Sequence, residues 1–427
     1  MTVVSQLRSA GLAGFALLAL TGCPGPSRPE PRTSPTPTPA PVPTPTPPPY
    51  VPGKRLETGK IFNGMKYRVT FERELGTTAT TERNDPDSYV AELVVKVRVP
   101  KPHNSLEEIS RLNSQLPALL PSLPALIEKA KISPVFDELY RLKCASIQSG
   151  LHRLDTLLTR HNFYDCETVL ELQEPKTKRR ALFIQADMDV DTDGSDVDRA
   201  PEIEGASSTF QPFTSYSWPK KTNNVSPLIA PREVRIKELE AELKGGLPAG
   251  RAESIKSSIA ALKGEVDNLK SRRFLLGHAD PFIVLPGSMF GAGRTGPFAP
   301  SVGDYCVVIH EGMLYPAIVG DVGPRAKMGE ASLRICKQIL PASTGGSRPV
   351  SDLKVTYLVF PGTVEKPFTV PDLTRWREQC AKLLEDIGGH QGELFTWEDL
   401  TIPAAPPATP APGPPSPAAP EETPAAQ

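Results

Sequence analysis

Alternation of apolar and polar positions predicts the strands. Met65, Tyr67, Val69 and Phe71 alternate with Lys66, Arg68 and Thr70, and within 89–99 Val95, Val97 and Val99 alternate with Lys96 and Arg98. This two-residue period marks half-buried strands, expected to pair antiparallel through the polar loop 76–87. Residues 166–185 predict two more strands around a turn at 174–178. Apolar runs at 282–285, 304–310, 314–319 and 354–360 predict the rest. Spacings of three and four mark the helices. A proline-punctuated helical stretch covers 104–129. Ser133-Pro134, an N-cap followed by proline at the first helical position, then opens a long helix with Asp137 and Glu138 in its first turn. Phe136, Leu139, Leu142, Ile147, Leu151, Leu154 and Leu158 form its apolar face. Within 232–273, Ile236, Leu239 and Leu243 precede the breaker Gly245-Gly246-Leu247-Pro248, and Ile255, Ile259, Leu262, Val266 and Leu269 follow in a 4-3-4-3 rhythm. That pattern predicts an inserted αα-hairpin with an antiparallel coiled-coil seam, either decorative or a partner-binding arm for another protein. Residues 374–387, led by Trp376, predict a closing helix.

Composition divides the chain. Its 427 residues allow two or three domains, and most of its 49 prolines lie at the two ends. Residues 1–23 have one charge, Arg8, before an apolar run, and end in Leu20-Thr21-Gly22-Cys23. This small-residue pattern resembles a lipoprotein cleavage site, with Cys23 as the lipidated residue and the bacterial cell envelope, in particular the outer membrane, as destination. An ordinary cleaved secretory signal is the other reading. Residues 24–53 form a proline-rich spacer reaching on the order of 90 Å at about 3.1 Å per residue, and 403–427 a proline- and alanine-rich tail. Between them lie a strand-plus-helix region, 54–164, and a second domain, 165–402. A net charge of −1 gives no global attraction to nucleic acid. Beyond Cys23 there are five cysteines, with no zinc-site spacing, and Cys306 with Cys336 is the expected bridge.

The candidate chemistry centres on residues 315–335, YPAIVGDVGPRAKMGEASLRI. An apolar strand end leads into Gly320-Asp321-Val322-Gly323-Pro324, whose turn residues predict Asp321 at a strand terminus. Met328-Gly329-Glu330 is expected to open a helix, with Glu330 in the first turn, where the dipole favours a carboxylate. Two such carboxylates suit glycosidic-bond hydrolysis, one protonating the leaving oxygen while the other activates water or attacks. A turn-capping Asp and an ordinary helix-start Glu are the plainer alternative. Upstream, Asp187, Asp189 and Asp191 alternate along a strand and are expected to line a cleft for a polycation, the alternative being a plain acidic surface loop. The run Asp189, Asp191, Asp193, Gly194 also imitates half a calcium loop, but Ala200 stands where the bidentate acid belongs. His310, at a strand end, is expected to point toward the loops of Asp321, as a structural or an auxiliary acid–base residue.

GDVGP followed by MGEAS resembles glycoside hydrolase family 75, the chitosanases first described from fungi. ADMDVDTDGS at 186–195, DPFIVLPGS at 280–288, GDYCVVIHEG at 303–312 and VTYLVFPG at 355–362 agree in order. The resemblance covers roughly 165–365, interrupted by the insertion. It implies an inverting endo-hydrolase of chitosan whose catalytic carboxylates are Asp321 and Glu330, with the acidic segment on the cationic substrate and no metal or organic cofactor. The expected fold is α+β: a small twisted β-barrel of about six to eight strands, similar to a double-psi barrel, surrounded by helices. The alternative is a non-catalytic lipoprotein that kept the fold to bind cell-wall polysaccharide or to scaffold the envelope.

Overall fold

A computed structural model describes residues 72–401, apart from 89, 91, 154, 155, 201, 203 and 292–294. Segments 1–23 with Cys23, 24–53, 65–71 and 403–427 lie outside the described residues.

Strands β3 (Arg180–Asp191), β10 (Val350–Val359), β7 (Tyr305–His310), β8 (Met313–Gly323), β6 (Phe282–Pro286) and β9 (Glu330–Ser332) pair in that order, and β9 returns to β3, closing a six-stranded barrel. The β6–β8 and β3–β9 pairs are parallel and the others antiparallel. Closure leaves no edge within the ring. Outside it, β2 (Cys166–Gln173) pairs with β3, and the short β1 (Lys131–Ile132) pairs with β2. The fold is α+β, with its barrel at the small end of the expected strand count.

Both faces of the barrel wall are covered, so its strands read as apolar runs rather than clean alternations. Leu182, Ile184, Ala186 and Met188 join one core cluster with Val308, Val319, Ala331 and Tyr357. Ala181 and Phe183 join a second, capped by Trp376, Leu383 and Leu384 of α10 (Leu373–Asp386) and by the short helices α2 (Leu106–Leu112), α3 (Leu116–Leu119) and α4 (Leu123–Ile127). A lone turn, α1 (Ala79–Asn84), precedes them. Helix α5 (Pro134–His152) starts at the predicted cap, where Ser133 Oγ accepts from Val135 N, and buries Phe136, Leu139 and Ile147 in the first cluster. Residues 106–152 therefore share the cores of the barrel.

No strand forms over the described part of 89–99. Residues 92–100 have no ladder partner among the described residues, and their expected partner, 65–71, lies outside them. The alternation survives as contact, since Val95 and Val97 pack against the first core cluster. The Cys306–Cys336 bridge is also absent, and all five described cysteines are free thiols. Cys336, in α9 (Leu333–Ile339), turns its sulfur to the carbonyls of Ala331 and Asp189, while the thiol beside Cys306 is Cys380, which donates to the Cys306 carbonyl at 3.3 Å.

Helix α7 (Ile229–Leu243) and helix α8 (Ala249–Ser271) form the predicted hairpin, which ends in the small sheet of β5 (Arg272–Phe274) with β4 (Ser217–Pro219). Ile236, Leu239, Ile255, Ile259, Val266 and Leu269 make a third cluster. Ion pairs Arg232–Glu265, Glu233–Lys270, Glu240–Lys263 and Glu242–Arg251 lace its flanks at 2.7–2.8 Å. Because the seam is buried against itself, replacing residues 234–270 with a short Gly/Ser loop is expected to leave a soluble protein with one cooperative thermal transition. Loss of soluble expression would show that the barrel depends on the hairpin.

Candidate active site

Strand β8 runs straight through the expected turn. A Cβ on Gly320 would lie 2.6 Å from Phe282 Cβ and 2.6 Å from Leu275 Cδ1, so the glycine serves a close approach of β6 rather than a reversal. Asp321 is consequently a strand residue. Glu330 is one too, since β9 precedes the helix and α9 begins only at Leu333. Glu330 stands two residues before the helix N-cap, Ser332, and so is not in the first helical turn. Gly329 has φ +76°, and a Cβ there would sit 2.3 Å from Asp187 Oδ1 and 2.5 Å from the Asp187 carbonyl. It lets the chain press onto β3 and enter β9.

Asp321 and Glu330 both pair with Val284 of β6, one from each side. Register partners share a face, so the two carboxylates point the same way, with Cα atoms two strand spacings apart, about 9.5 Å. They line an open cleft of ≈ 210 Å³ together with Asp191, Asp193 and the hydroxyls of Ser207 and Thr209.

The electrostatics differ around each acid. Asp321 Oδ1 accepts three hydrogen bonds, from Ser215 N (2.8 Å), Ser215 Oγ (2.6 Å) and Val322 N (2.7 Å). Burial raises its pKa against the pull of these donors. Glu330 Oε1 accepts from Lys327 Nζ at 2.9 Å; burial raises its pKa too, and the ammonium opposes the rise. Asp191 is driven well above the usual carboxylate range, by burial and then by the charges of Asp193 and Asp321. Asp193 rises to about 6, mainly through burial. Oxygens of Asp191, Asp193 and Asp321 lie within 4.8 Å of one another. Like charges that close raise one another's pKa values and favour retention of a proton. The same spacing suits a bound cation, whether a metal ion or an ammonium group.

The predicted substrate residues part company. Of the alternating aspartates only Asp191 lines the cleft. Asp187, 2 % exposed, lies 3.1 Å from His161 Nε2, and burial lifts its pKa to about 9, so it holds a proton at neutral pH. Asp189 is taken by Arg348 at 3.0 Å and Lys327 at 3.3 Å. His161, Asp187 and Asp189 could also converge on a cation, but those two basic side chains already occupy Asp189. His310 is at the wrong end: it pairs with Met313, eight residues before Asp321 on β8, about 26 Å away at 3.3 Å per residue. Antiparallel pairing with β8 forces that placement. Asp196 and Asp198, just beyond the calcium-like run, turn to Arg199 and Arg273. The aromatics at 210–218 act in packing: Tyr216 stacks on Phe368 at 4.2 Å and Phe213 meets Phe274 edge-on.

Several functional neighbours were not legible. Ser215 comes from the aromatic loop. Behind the pair, Lys143 of α5, with a fully buried side chain, meets Asp165 at 2.7 Å and donates to the Asn162 carbonyl at 2.6 Å. Asp165 Oδ2 also accepts from Met328 N at 3.1 Å, which ties the Met328-Gly329-Glu330 segment to the helix layer. Only Lys143's place on an apolar helix face hinted at this.

No curated protein matches the chain. Residues 188–394 match the model of one family, described as fungal chitosanase of glycosyl hydrolase group 75. That span contains both carboxylates flanking Val284, the Asp191–Asp193 cluster and the inserted hairpin. Residues 188–394 therefore carry a domain of the fungal chitosanases of glycosyl hydrolase group 75, a chitosanase-type glycoside hydrolase domain.

Proposed function

We propose that the protein is an endo-acting, inverting hydrolase of β-1,4-linked glucosamine polymers, with Asp321 and Glu330 as its acid–base pair, held at the cell envelope by a lipidated Cys23. The observation that carries the catalytic part is the pairing of both carboxylates with Val284, about 9.5 Å apart at Cα. Inverting glycosidases separate their carboxyl groups by roughly 6.5–9.5 Å, which leaves room for the attacking water, and two side chains that rise from one face on either side of β6 can span such a gap.

The surroundings suggest the roles. Glu330, beside the Lys327 ammonium, is the base; it takes a proton from water as the water oxygen attacks the anomeric carbon. Asp321, whose pKa burial raises and which has no cation paired with it among the described ion pairs, is the acid; it protonates the leaving oxygen as the glycosidic bond breaks. One water is consumed, and the product anomer is the inverse of the bond cleaved. Asp191 and Asp193 add negative charge to the cleft, which attracts protonated glucosamine units. The cleft is open, as an internal cut in a polymer requires. For the envelope location the support is the segment ending at Cys23. Two acyl chains there would give stable anchoring, and the proline-rich spacer would give reach.

The test is incubation of residues 54–402 with chitosan, partly acetylated chitosan and peptidoglycan. Viscosity should fall well before reducing ends accumulate, and the first reducing ends seen by proton NMR should be α. A β product overturns inversion. No cleavage of any of the three polymers replaces this reading with that of a non-catalytic polysaccharide-binding lipoprotein.

A further inference from the structure

Lys327 lies between the two carboxylates in sequence and takes no part in the chemistry just described. Its Nζ is 2.9 Å from Glu330 Oε1 and 3.3 Å from Asp189 Oδ2. Asp189 is in turn held by Arg348 Nε at 3.0 Å, and Arg348 Nη2 donates to Asn162 Oδ1 at 2.8 Å. The ammonium is thus fixed from two sides, by β9 and by β3. It binds Glu330 from outside the cleft lining and takes only Oε1. The other oxygen, Oε2, lies on the side of Gly323, which does line the cleft: a Cβ on Gly323 would be 3.4 Å from it.

The rest of the neighbourhood is acidic. Strand β3 contributes Asp187, Asp189 and Asp191, the loop after it Asp193, and β8 Asp321. Against these stand Lys327, Arg348 before β10, and His161 in α6 (Arg160–Phe163). Among the described residues, the ion pair to Glu330 comes from Lys327, whereas Arg348 reaches Asp189. Burial and the charges of Asp189 and Asp321 both favour a protonated Glu330, and Lys327 opposes them.

We propose that Lys327 is a positioning residue for hydrolysis: it keeps Glu330 charged and turns Oε2 into the cleft, so that Glu330 can act as the base. This rests on the reading of Asp321 and Glu330 as the pair. A base works only when ionised, so activity falls as pH drops through its pKa. An adjacent cation lowers that pKa by about 1–3 units, and removing it must move the acidic limb upward.

The experiment measures kcat/KM against pH for wild type, Lys327→Met, Lys327→Arg and Glu330→Gln on one soluble glycol chitosan. Titration of the substrate amines is then common to all four profiles. For Lys327→Met the acidic limb should move up by about one pH unit or more. That is a loss of at least about tenfold below the limb, with most activity recovered above it, chiefly in kcat rather than KM. Lys327→Arg should keep the wild-type profile. Should the Met variant not fold, Lys327→Gln is read in the same way. A loss uniform across pH, with the limb unmoved, overturns the proposal and leaves Lys327 a structural residue. If Lys327→Met leaves the limb unmoved while Glu330→Gln is inactive, only the role of Lys327 has failed. If Glu330→Gln keeps its activity, the pair itself was wrongly assigned.

Discussion

Asp321→Asn and Glu330→Gln should each cut hydrolysis of chitosan by at least about 10²–10⁴-fold, the usual worth of general acid–base help, while folding and polymer binding stay nearly intact. Each change keeps the outline of the side chain and removes only the ionisable group. In Asp321→Asn the amide carbonyl oxygen can still accept from Ser215 N, Ser215 Oγ and Val322 N, so the loop carrying Ser215 keeps its anchor. In Glu330→Gln the amide carbonyl oxygen can still accept from Lys327 Nζ. The strand positions do not depend on the charges, because both residues are fixed by backbone pairing to Val284. The losses should not multiply in the double variant, since acid and base serve one bond-breaking event. The checks are initial rates on chitosan, a thermal melt, and retention on a chitosan column at a pH where wild type turns over slowly. Near-full activity in either single variant rejects the assignment.

How far the sequence reached depends on whether the signal was local. The hairpin was legible, because its seam draws on residues of one continuous insertion, Ile236, Leu239, Ile255, Ile259, Val266 and Leu269. The cap of α5 was legible for the same reason. Asp321 and Glu330 were found, but on the wrong local structure. Gly320 and Gly323 read as a turn, and nothing in the sequence says that Phe282 must pack against Gly320. Glu330 read as a helix start because Ala331, Leu333 and Ile335 follow it with apolar spacing. Here β3 and β6 both lend partners to β9, and that pairing outweighs an early helix start. Alternation placed Asp187, Asp189 and Asp191 on one side of β3, yet depth along a strand is set by what covers it. His161 and Arg348 come from distant segments, so the cover was invisible. His310 failed on direction, since a strand end does not say which end of the barrel it faces. Ser215 and Asp165 reach the site only through tertiary contacts, and no spacing rule could have named them.

Lys143→Met should destabilise the protein by about 3–5 kcal/mol, the usual cost of removing one partner from a buried ion pair. The reason lies in what Asp165 keeps. Its carboxyl is 3 % exposed, and burial lifts its pKa to about 6 even with Lys143 alongside. Without the lysine that pKa rises further. The folded state then binds the Asp165 proton more tightly than the unfolded chain does. Stability is therefore highest below the unfolded pKa, near 3.8, and is lost as pH rises toward the folded pKa. In wild type this loss ends near pH 6, whereas in Lys143→Met it continues above it. The gap between the two proteins should be small in acid and widen into the neutral range, as read by urea unfolding at several pH values. Adding Asp165→Asn removes the buried charge and keeps an acceptor for Met328 N, so the double variant should be more stable at neutral pH than Lys143→Met alone. Activity gives a second readout. Met328 is two residues from Glu330, and its N–H is held by Asp165 at 3.1 Å. Folded Lys143→Met should hydrolyse chitosan more slowly than wild type, with partial recovery in the double variant. A gap that does not change with pH, or a double variant less stable than Lys143→Met, would show that the pair does not set the stability of this corner.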